Sequence, residues 1–330
     1  MDLEIVDRIL AESKDLSTLP QIMTDILSLA RDESSTADDM AKVLGRDPTL
    51  SAQVLRLVNS PLFGKRERIG MVHEAVRRLG VRNVTAVALS ASVYDMTANW
   101  QSSLDRKRFW RHSLETAIAA RLLAETIGYR VPEELFAAGM LHDFGMLALE
   151  KAFPNKFAEV WIESQHEGNM ARLEVETWGA DHARIGQFLL ERWNLPDHIC
   201  QAVGFHHAWK MPDTITPDNA PSMLVRLAHL ISKFAVALER RISTQHLFLK
   251  EDIRQALNIP ALELRNIERE LFSQTMKEAD YLEMDVGTAD EIMMETHQLL
   301  FEQYITVENL MEEIRLQQQE NEAAKRAVMN

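Results

Sequence analysis

The sequence is poor in the residues that form disulfides and tight turns. Its 330 residues include a single cysteine, Cys200, which excludes an internal disulfide. The 12 glycines and 10 prolines are too few for the turns of a hairpin-rich sheet. No apolar run approaches the roughly 20 residues that a spanning helix needs, and the acidic N-terminus lacks the basic flank of a signal peptide. We therefore expect a cytoplasmic protein without a membrane segment.

The sequence also has no excess of positive charge. Thirty-six basic against 50 acidic residues give a formal net charge of -14, which opposes binding to nucleic acid or to an anionic membrane. Residues 36–58 resemble a helix-turn-helix pair, but the second helix offers one base-reading cation, Arg56, so DNA is not an expected partner. Hydrophobic residues at 46% and charged residues at 26% are typical of a folded globular chain.

The apolar residues recur at helical spacing almost throughout, which predicts an all-α protein. Residues 1–100 form a predicted N-terminal bundle, in which Thr36 caps one helix and Gly80 ends another. Residues 101–284 form a second helical domain that is rich in histidine. Residues 285–330 carry apolar residues every seven positions from Met293, which fits either a dimerising coiled coil or a helix packed on its own domain.

Histidine and carboxylate side chains on apolar helix faces or at helix ends are the main candidates for chemistry. A single such histidine is more often a satisfied core residue than a ligand, but several in one domain favour a metal site. No glycine-rich nucleotide loop and no serine-hydrolase motif is present. The candidate metal ligands are His112, His142, Asp143, His182, His206, His207 and His229.

Several segments together resemble the HDOD domain, a divergent branch of the HD superfamily found in bacterial signalling proteins. The most specific are GRDPTLSAQVLRLVNSPLFG (45–64) and HARIGQFLLERWNLPDHICQAVGFHH (182–207), supported by AAGMLHDFGMLALE (137–150). The resemblance covers residues 16–210. It implies a helical bundle joined to an HD-like helical core, followed here by a long C-terminal helix.

Metal-dependent HD relatives, including the HD-GYP phosphodiesterases, are similar to this chain at their ligand positions. The resemblance implies that His142, Asp143, His112 and His182 hold one ion and that His206, His207 and His229 hold a second. Histidine at 229, in place of a late aspartate, favours zinc, iron, manganese or nickel over magnesium. Two features depart from the HD-GYP pattern: Met146 replaces a lysine, and no GYP segment follows His207.

Two functions follow from this resemblance. The favoured one is a regulatory module of signal transduction with a metal-binding core and no assigned catalytic residue, because Met146 removes a cation that would stabilise phosphoryl charge. The alternative is a metal-dependent phosphohydrolase acting on a phosphodiester or nucleotide. Expected partners are other signalling proteins or a second copy through the C-terminal helix. The nearby cations that would receive phosphate are Arg108, Arg111, Arg184 and Lys210.

Overall fold

In the computed structural model most of the described residues are helical, short turns and loops join the helices, and the described residues contain no strand. It describes residues 4–13, 16, 20–32, 34–60, 62, 68–97, 100, 102–167, 169–207, 216, 219–235, 254–295, 297, 305 and 315. The main helices are α1 (Glu4–Glu12), α2 (Gln21–Arg31), α3 (Ala37–Leu44), α4 (Pro48–Val58), α5 (Val72–Leu79), α6 (Val81–Thr97), α7 (Arg106–Thr126), α8 (Pro132–Leu141), α9 (Phe144–Ala152), α10 (Pro154–Glu167), α11 (Met170–Trp178), α12 (His182–Arg192), α13 (Asp197–Gly204), α14 (Ala220–Ala235) and α15 (Ala261–Leu282). The predicted all-α class is confirmed.

Local sequence signals set the ends of the N-terminal helices. The Thr36 hydroxyl accepts a hydrogen bond from the Asp39 backbone N–H, and the Asp39 carboxylate accepts one from the Thr36 backbone, which closes a capping box at the start of α3. Asp47 caps α4, in which Pro48 occupies the first turn. Gly80 follows α5 at a φ of 85°, in the region that favours glycine. Helices α2 to α6 pack on one another as a bundle.

Helix α7 is the centre of the molecule. Every residue from Phe109 to Arg121 is buried, and the helix packs against α8, α14 and α15. An amphipathic helix keeps its polar face in water, whereas α7 is covered on all sides. Polar side chains on α7, such as His112 and Glu115, are therefore placed in the interior and need partners there.

The two ends of the described chain tie the N-terminal and central parts together. Helix α1 packs on α9 and α12, where Asp7 accepts from Arg192 at 2.6 Å. Helix α15 packs on α4 as well as α7, and Glu278 accepts from the Leu62 backbone N–H at 2.7 Å. The buried apolar side chains form one continuous cluster across all these helices. This continuous core does not test the predicted domain boundaries near residues 100 and 284, which stay predictions.

The C-terminal segment is described only in part. Residues 289–295 are helical, and Met293, the first residue of the predicted heptad seam, is 55% exposed. The following seam positions, Leu300, Val307 and Ile314, lie outside the described residues. Among the described helices, none combines the length and the apolar character that crossing a bilayer requires.

Candidate metal centre

The seven predicted ligands converge between the helices that surround α7. His112 lies in the second turn of α7, and His142 with Asp143 forms the junction between α8 and α9. His182 is the first residue of α12. His206 and His207 lie just beyond Phe205, the C-cap residue of α13, and His229 lies on α14. All seven are buried except His207, which is partly exposed. Sequence positions up to 117 residues apart thus meet at one place.

Three imidazoles and one carboxylate form a first ligand group. His112 Nε2, His142 Nε2 and His229 Nδ1 lie 3.0 Å from one another in all three pairs. Asp143 Oδ2 lies 3.1 Å from His142 Nε2 and 3.4 Å from His112 Nε2. Four potential donor atoms therefore face a common point, which is the number that a tetrahedral metal site requires.

The other oxygen of Asp143 faces a second ligand group. Asp143 Oδ1 lies 3.3 Å from His182 Nε2 and 3.2 Å from His206 Nε2. His207 Nε2 lies 2.9 Å from His182 Nε2. The two groups are His112, His142 and His229 on one side and His182, His206 and His207 on the other, with Asp143 common to both. This grouping differs from the predicted one, because His182 lies with the His206–His207 pair and His229 lies with His142.

Outer hydrogen bonds fix which ring nitrogen faces the centre as an acceptor. His142 Nδ1 donates to the Gly139 carbonyl at 2.7 Å, and His206 Nδ1 donates to the Val203 carbonyl at 2.6 Å. A carbonyl can only accept, so both Nδ1 atoms carry a proton. In the neutral rings Nε2 must then present its lone pair to the cluster. Such outer bonds orient histidine ligands in metal sites.

The inner atoms of this arrangement lack hydrogen bonds of their own. Asp143 Oδ1 and His206 Nε2 are buried and make no hydrogen bond, although they lie only 3.2 Å apart. Two acceptors at that distance repel each other, and buried polar atoms without partners are costly. A cation between them removes both penalties. The donor set of six imidazoles and one carboxylate fits a divalent transition metal.

Burial and charge shift the pKa values of the groups around this centre. Burial is the main cause that lowers the pKa of His206 to about 4, so this ring is neutral at pH 7. Burial also opposes a charge on His182, but Glu174 and Asp143 outweigh it and raise the pKa of His182 to about 10. Burial opposes ionisation of Asp143 as well, yet His142 and the adjacent imidazoles of His112 and His182 hold its pKa well below the usual value. The second group therefore favours a positive charge, which a proton or a metal ion can supply.

Two glycines allow the helices to come close enough for this convergence. A Cβ on Gly139 would lie 2.6 Å from Ala117 Cα, so glycine lets α8 bring His142 against α7. A Cβ on Gly145 would lie 2.0 Å from the His182 carbonyl oxygen, so glycine lets α9 touch the start of α12. Neither distance is compatible with a larger residue in the same place.

Three side chains that support the ligands are absent from the predicted set. Glu174, which is fully buried, accepts from His182 Nδ1 at 2.6 Å and from the His182 backbone N–H at 2.8 Å. Ser232 lies 2.8 Å from His112 Nδ1 and donates to Glu115 at 2.9 Å. Glu115 and Ser232 each follow a ligand histidine by three residues on the same helix face. A polar residue at that spacing inside an apolar stripe is the signal that could have revealed them.

A cavity of about 330 Å³ opens onto both ligand groups. Its wall includes His112, Asp143, His182, His207 and His229, together with apolar side chains and a polar rim. The apolar part comprises Leu104, Phe109, Met146, Trp161 and Met170, and the polar rim includes Ser103, Ser164, Gln165 and Asn169. A ligand in the cavity would therefore touch the metal-binding atoms directly.

The predicted phosphate-binding cations lie in different places. Among the described residues that line the cavity, Arg108 is the only arginine or lysine, and it pairs with Glu295 at 3.2 Å. Arg111 is 2% exposed and donates to the Val286 carbonyl and to Glu295, outside the cavity wall. Arg184 stacks over Phe188 and Phe205 and does not line the cavity. Lys210 lies outside the described residues.

Comparison with known proteins agrees with this architecture. Residues 16–209 match the model of the HDOD domain. A crystal structure of a candidate phosphohydrolase from Shewanella amazonensis is 25% identical, with a TM-score of 0.64 over 83% of this chain and 98% of that one. An HDOD domain protein of unknown function from Geobacter sulfurreducens is 23% identical, with a TM-score of 0.68 over 84% and 97% of the two chains.

An uncharacterized protein from Treponema pallidum is 29% identical over 206 residues. The match covers 62% of this chain and 39% of the relative, so the chain spans well under half of that protein's length.

Gly145→Ala should disrupt the second ligand group. The new methyl would meet the His182 carbonyl at 2.0 Å, so α12 must move away from α9 and carry His182 with it. We expect a loss of stability of about 1–3 kcal/mol in urea unfolding and loss of one bound metal ion. Gly70→Ala is the matched control, because a Cβ at Gly70 meets nothing within 4 Å. Retention of both ions and of wild-type stability by Gly145→Ala would contradict the predicted close contact.

The stability of metal-free protein should fall as pH rises toward 8. Burial raises the pKa of Glu115 from 4.5 to about 8, and the Ser232 hydrogen bond and the charge of Arg111 offset it only in part. Between these values the folded state holds a proton that the unfolded state has released, so rising pH favours unfolding by up to about 1.4 kcal/mol per unit.

Glu115→Gln removes this titration. Chelator-treated wild type should therefore lose stability more steeply with pH than Glu115→Gln, in urea unfolding between about pH 5 and pH 8. Parallel pH profiles for the two proteins would show that Glu115 is ionised in the fold throughout this range.

Proposed function

Because the chain belongs to the HDOD domain family and its ligands form two groups that share Asp143, we propose that it binds two divalent transition-metal ions and hydrolyses a phosphate ester. The observation that carries the proposal is that both ligand groups line one open cavity. Structural metal sites are closed by protein ligands, whereas catalytic sites keep a position open to substrate. A regulatory module without catalysis, favoured by the sequence, remains the second candidate.

In this proposal His112, His142 and His229 hold one ion, and His182, His206 and His207 hold the other. Asp143 contributes one oxygen to each, so its position determines the separation of the two sites. A pair of ions would lower the pKa of a bound water and offset the negative charge of a phosphoryl group. The imidazole-rich set favours zinc, iron, manganese or nickel over magnesium.

The cavity wall has two regions, which would contact different parts of a phosphate ester. The phosphate would lie at the ligand groups, where Arg108 can reach it from the wall. The organic part would lie against Phe109, Trp161 and Met170, which offer an apolar and partly aromatic surface. Met146 also lines the cavity, and its thioether supplies contact area but no charge. Phosphoryl charge would therefore be balanced at the ligand groups and by Arg108.

One observation favours the regulatory candidate. Arg111, which follows the cavity residue Arg108 in the second turn of α7, donates to the Val286 carbonyl at 3.1 Å and to Glu295 at 2.6 Å. Glu295 also pairs with Arg108 itself. The start of the C-terminal helix thus contacts the helix that carries His112. A ligand that draws Arg108 into the cavity would weaken this contact and alter what the C-terminal helix offers to a signalling partner or a second copy.

Asp143→Asn should abolish both metal binding and hydrolysis. Replacing one carboxylate oxygen by an amide NH₂ puts a donor where one ion needs an acceptor and removes the negative charge between the sites. Elemental analysis after gel filtration should find two ions per wild-type chain and none in the variant. Turnover of a panel of phosphomonoesters, phosphodiesters and nucleotides should fall at least about 100-fold.

Asp38→Asn is the control, since Asp38 is an exposed aspartate that also pairs with a histidine, His73. Two bound ions in wild type with no turnover of any substrate would reject the hydrolase and leave the regulatory candidate. No bound metal in wild type would reject both forms of the proposed centre.

If the regulatory candidate is correct, Glu295→Gln should abolish the effect of ligand binding in the cavity on the C-terminal segment. In wild type, inorganic phosphate added with the metal should draw Arg108 from Glu295 and raise amide hydrogen exchange in residues 284–295. In Glu295→Gln this exchange should already be high and should not respond. Glu283→Gln, which loses an ion pair with Arg56 away from the cavity, should behave as wild type. An unchanged exchange rate in wild type would reject the coupling.

A further inference from the structure

We propose that Ser232 and Glu115 form a hydrogen-bonded relay that positions His112 for metal binding, and that only one of the two sites depends on it. This inference rests on the proposed metal centre and adds to it two residues outside the ligand set. Ser232 is fully buried and Glu115 is 1% exposed. They stand behind His112, on the side of the ring that faces away from the other ligands.

The direction of the relay follows from the number of protons available. The Ser232 hydroxyl has one proton and donates it to Glu115 Oε2 at 2.9 Å. Oε2 accepts this proton both in the ionised carboxylate and in the protonated carboxyl with its own proton on Oε1, which makes no hydrogen bond to any described residue. At the His112 side, 2.8 Å away, the same oxygen can therefore only accept. His112 Nδ1 must carry the proton, and in the neutral ring Nε2 presents its lone pair to His142 and His229. The relay thus selects the tautomer that can bind a metal.

Without the carboxyl, the opposite arrangement becomes available. A Ser232 hydroxyl with no acceptor would be free to donate to His112 Nδ1, which moves the ring proton to Nε2. That proton would point into the ligand group, where His142 Nε2 lies 3.0 Å away, and would close the site with a hydrogen bond. Glu115 prevents this because its Oε2 takes the hydroxyl proton. The other Glu115 oxygen is buried and makes no hydrogen bond to any described residue.

Helix geometry ties the relay to one ligand group. His112 and Glu115 are three residues apart on α7, and His229 and Ser232 are three residues apart on α14. Each helix therefore contributes one ligand and one relay residue on the same face, and α7 and α14 pack closely. The second ligand group has its own support, since Glu174 contacts His182 directly. Loss of the relay should therefore affect the site at His112 and leave the site at His182 intact.

The test compares Ser232→Ala with Ser113→Ala in the full chain. Ser113 is the matched control because it is a fully buried serine next to His112 whose hydroxyl has no hydrogen-bond partner among the described residues. Equilibrium dialysis with zinc should give two ions for wild type and for Ser113→Ala. In Ser232→Ala we expect about a 10- to 100-fold weaker affinity for one ion, with unchanged affinity for the other. Thermal unfolding followed by circular dichroism checks that each variant folds.

A tautomer measurement separates positioning from mere packing. The ¹⁵N shifts of His112 in chelator-treated protein should report a proton on Nδ1 in wild type and in Ser113→Ala. In Ser232→Ala the preference of the His112 proton for Nδ1 should be lost. Glu115→Leu removes the acceptor but keeps the Ser232 hydroxyl, so in this variant the His112 proton should move to Nε2. If Ser232→Ala fails to fold, Glu115→Leu gives the same comparison.

Two outcomes overturn the relay while leaving the proposed function intact: two ions bound to Ser232→Ala with wild-type affinities, or a His112 tautomer that none of the substitutions changes. Absence of metal from wild type would instead reject the metal centre, and the tautomer measurement would still decide whether the relay operates.

Discussion

The close approach of six imidazoles and one carboxylate in the interior is the constraint on which the rest of this structure depends. Three ring nitrogens lie 3.0 Å from one another, and the two oxygens of Asp143 face ring nitrogens of both groups. Atoms that face each other with lone pairs are stable at these distances only when a proton or a cation lies between them. The buried atoms of Asp143 and His206 that make no hydrogen bond mark where that charge belongs.

The surrounding fold can be understood as the support for this convergence. Helix α7 is buried on all sides, so it can present His112 inward while α8, α14 and α15 cover it. Gly139 and Gly145 let α8 and α9 approach their neighbours more closely than any side chain would permit. Backbone carbonyls, Glu174 and the Ser232–Glu115 pair then fix the rings. Each of these contacts restricts the orientation of a candidate ligand side chain, and such restriction increases the affinity and selectivity of a metal site.

The candidate site is open on one side. The cavity exposes both ligand groups to a small molecule, and its wall combines an aromatic surface with Arg108. Arg108 also pairs with Glu295, so the same residue contacts both the cavity and the C-terminal segment. The proposed hydrolysis and the proposed signalling role are therefore compatible, because both would involve this side chain.

Sequence alone determined the helical class, the cap at Thr36, the glycine end at Gly80 and the set of candidate ligands. These features follow from short-range periodicity, local hydrogen bonding and residue chemistry, which a linear pattern records. Only the tertiary structure decided that His229 joins His142 while His182 joins the His206–His207 pair, and that Arg111 lies outside the cavity wall. It also revealed Glu174, Ser232 and Glu115 as supports. Those outcomes depend on how helices far apart in sequence pack, and spacing along the chain does not specify which faces meet.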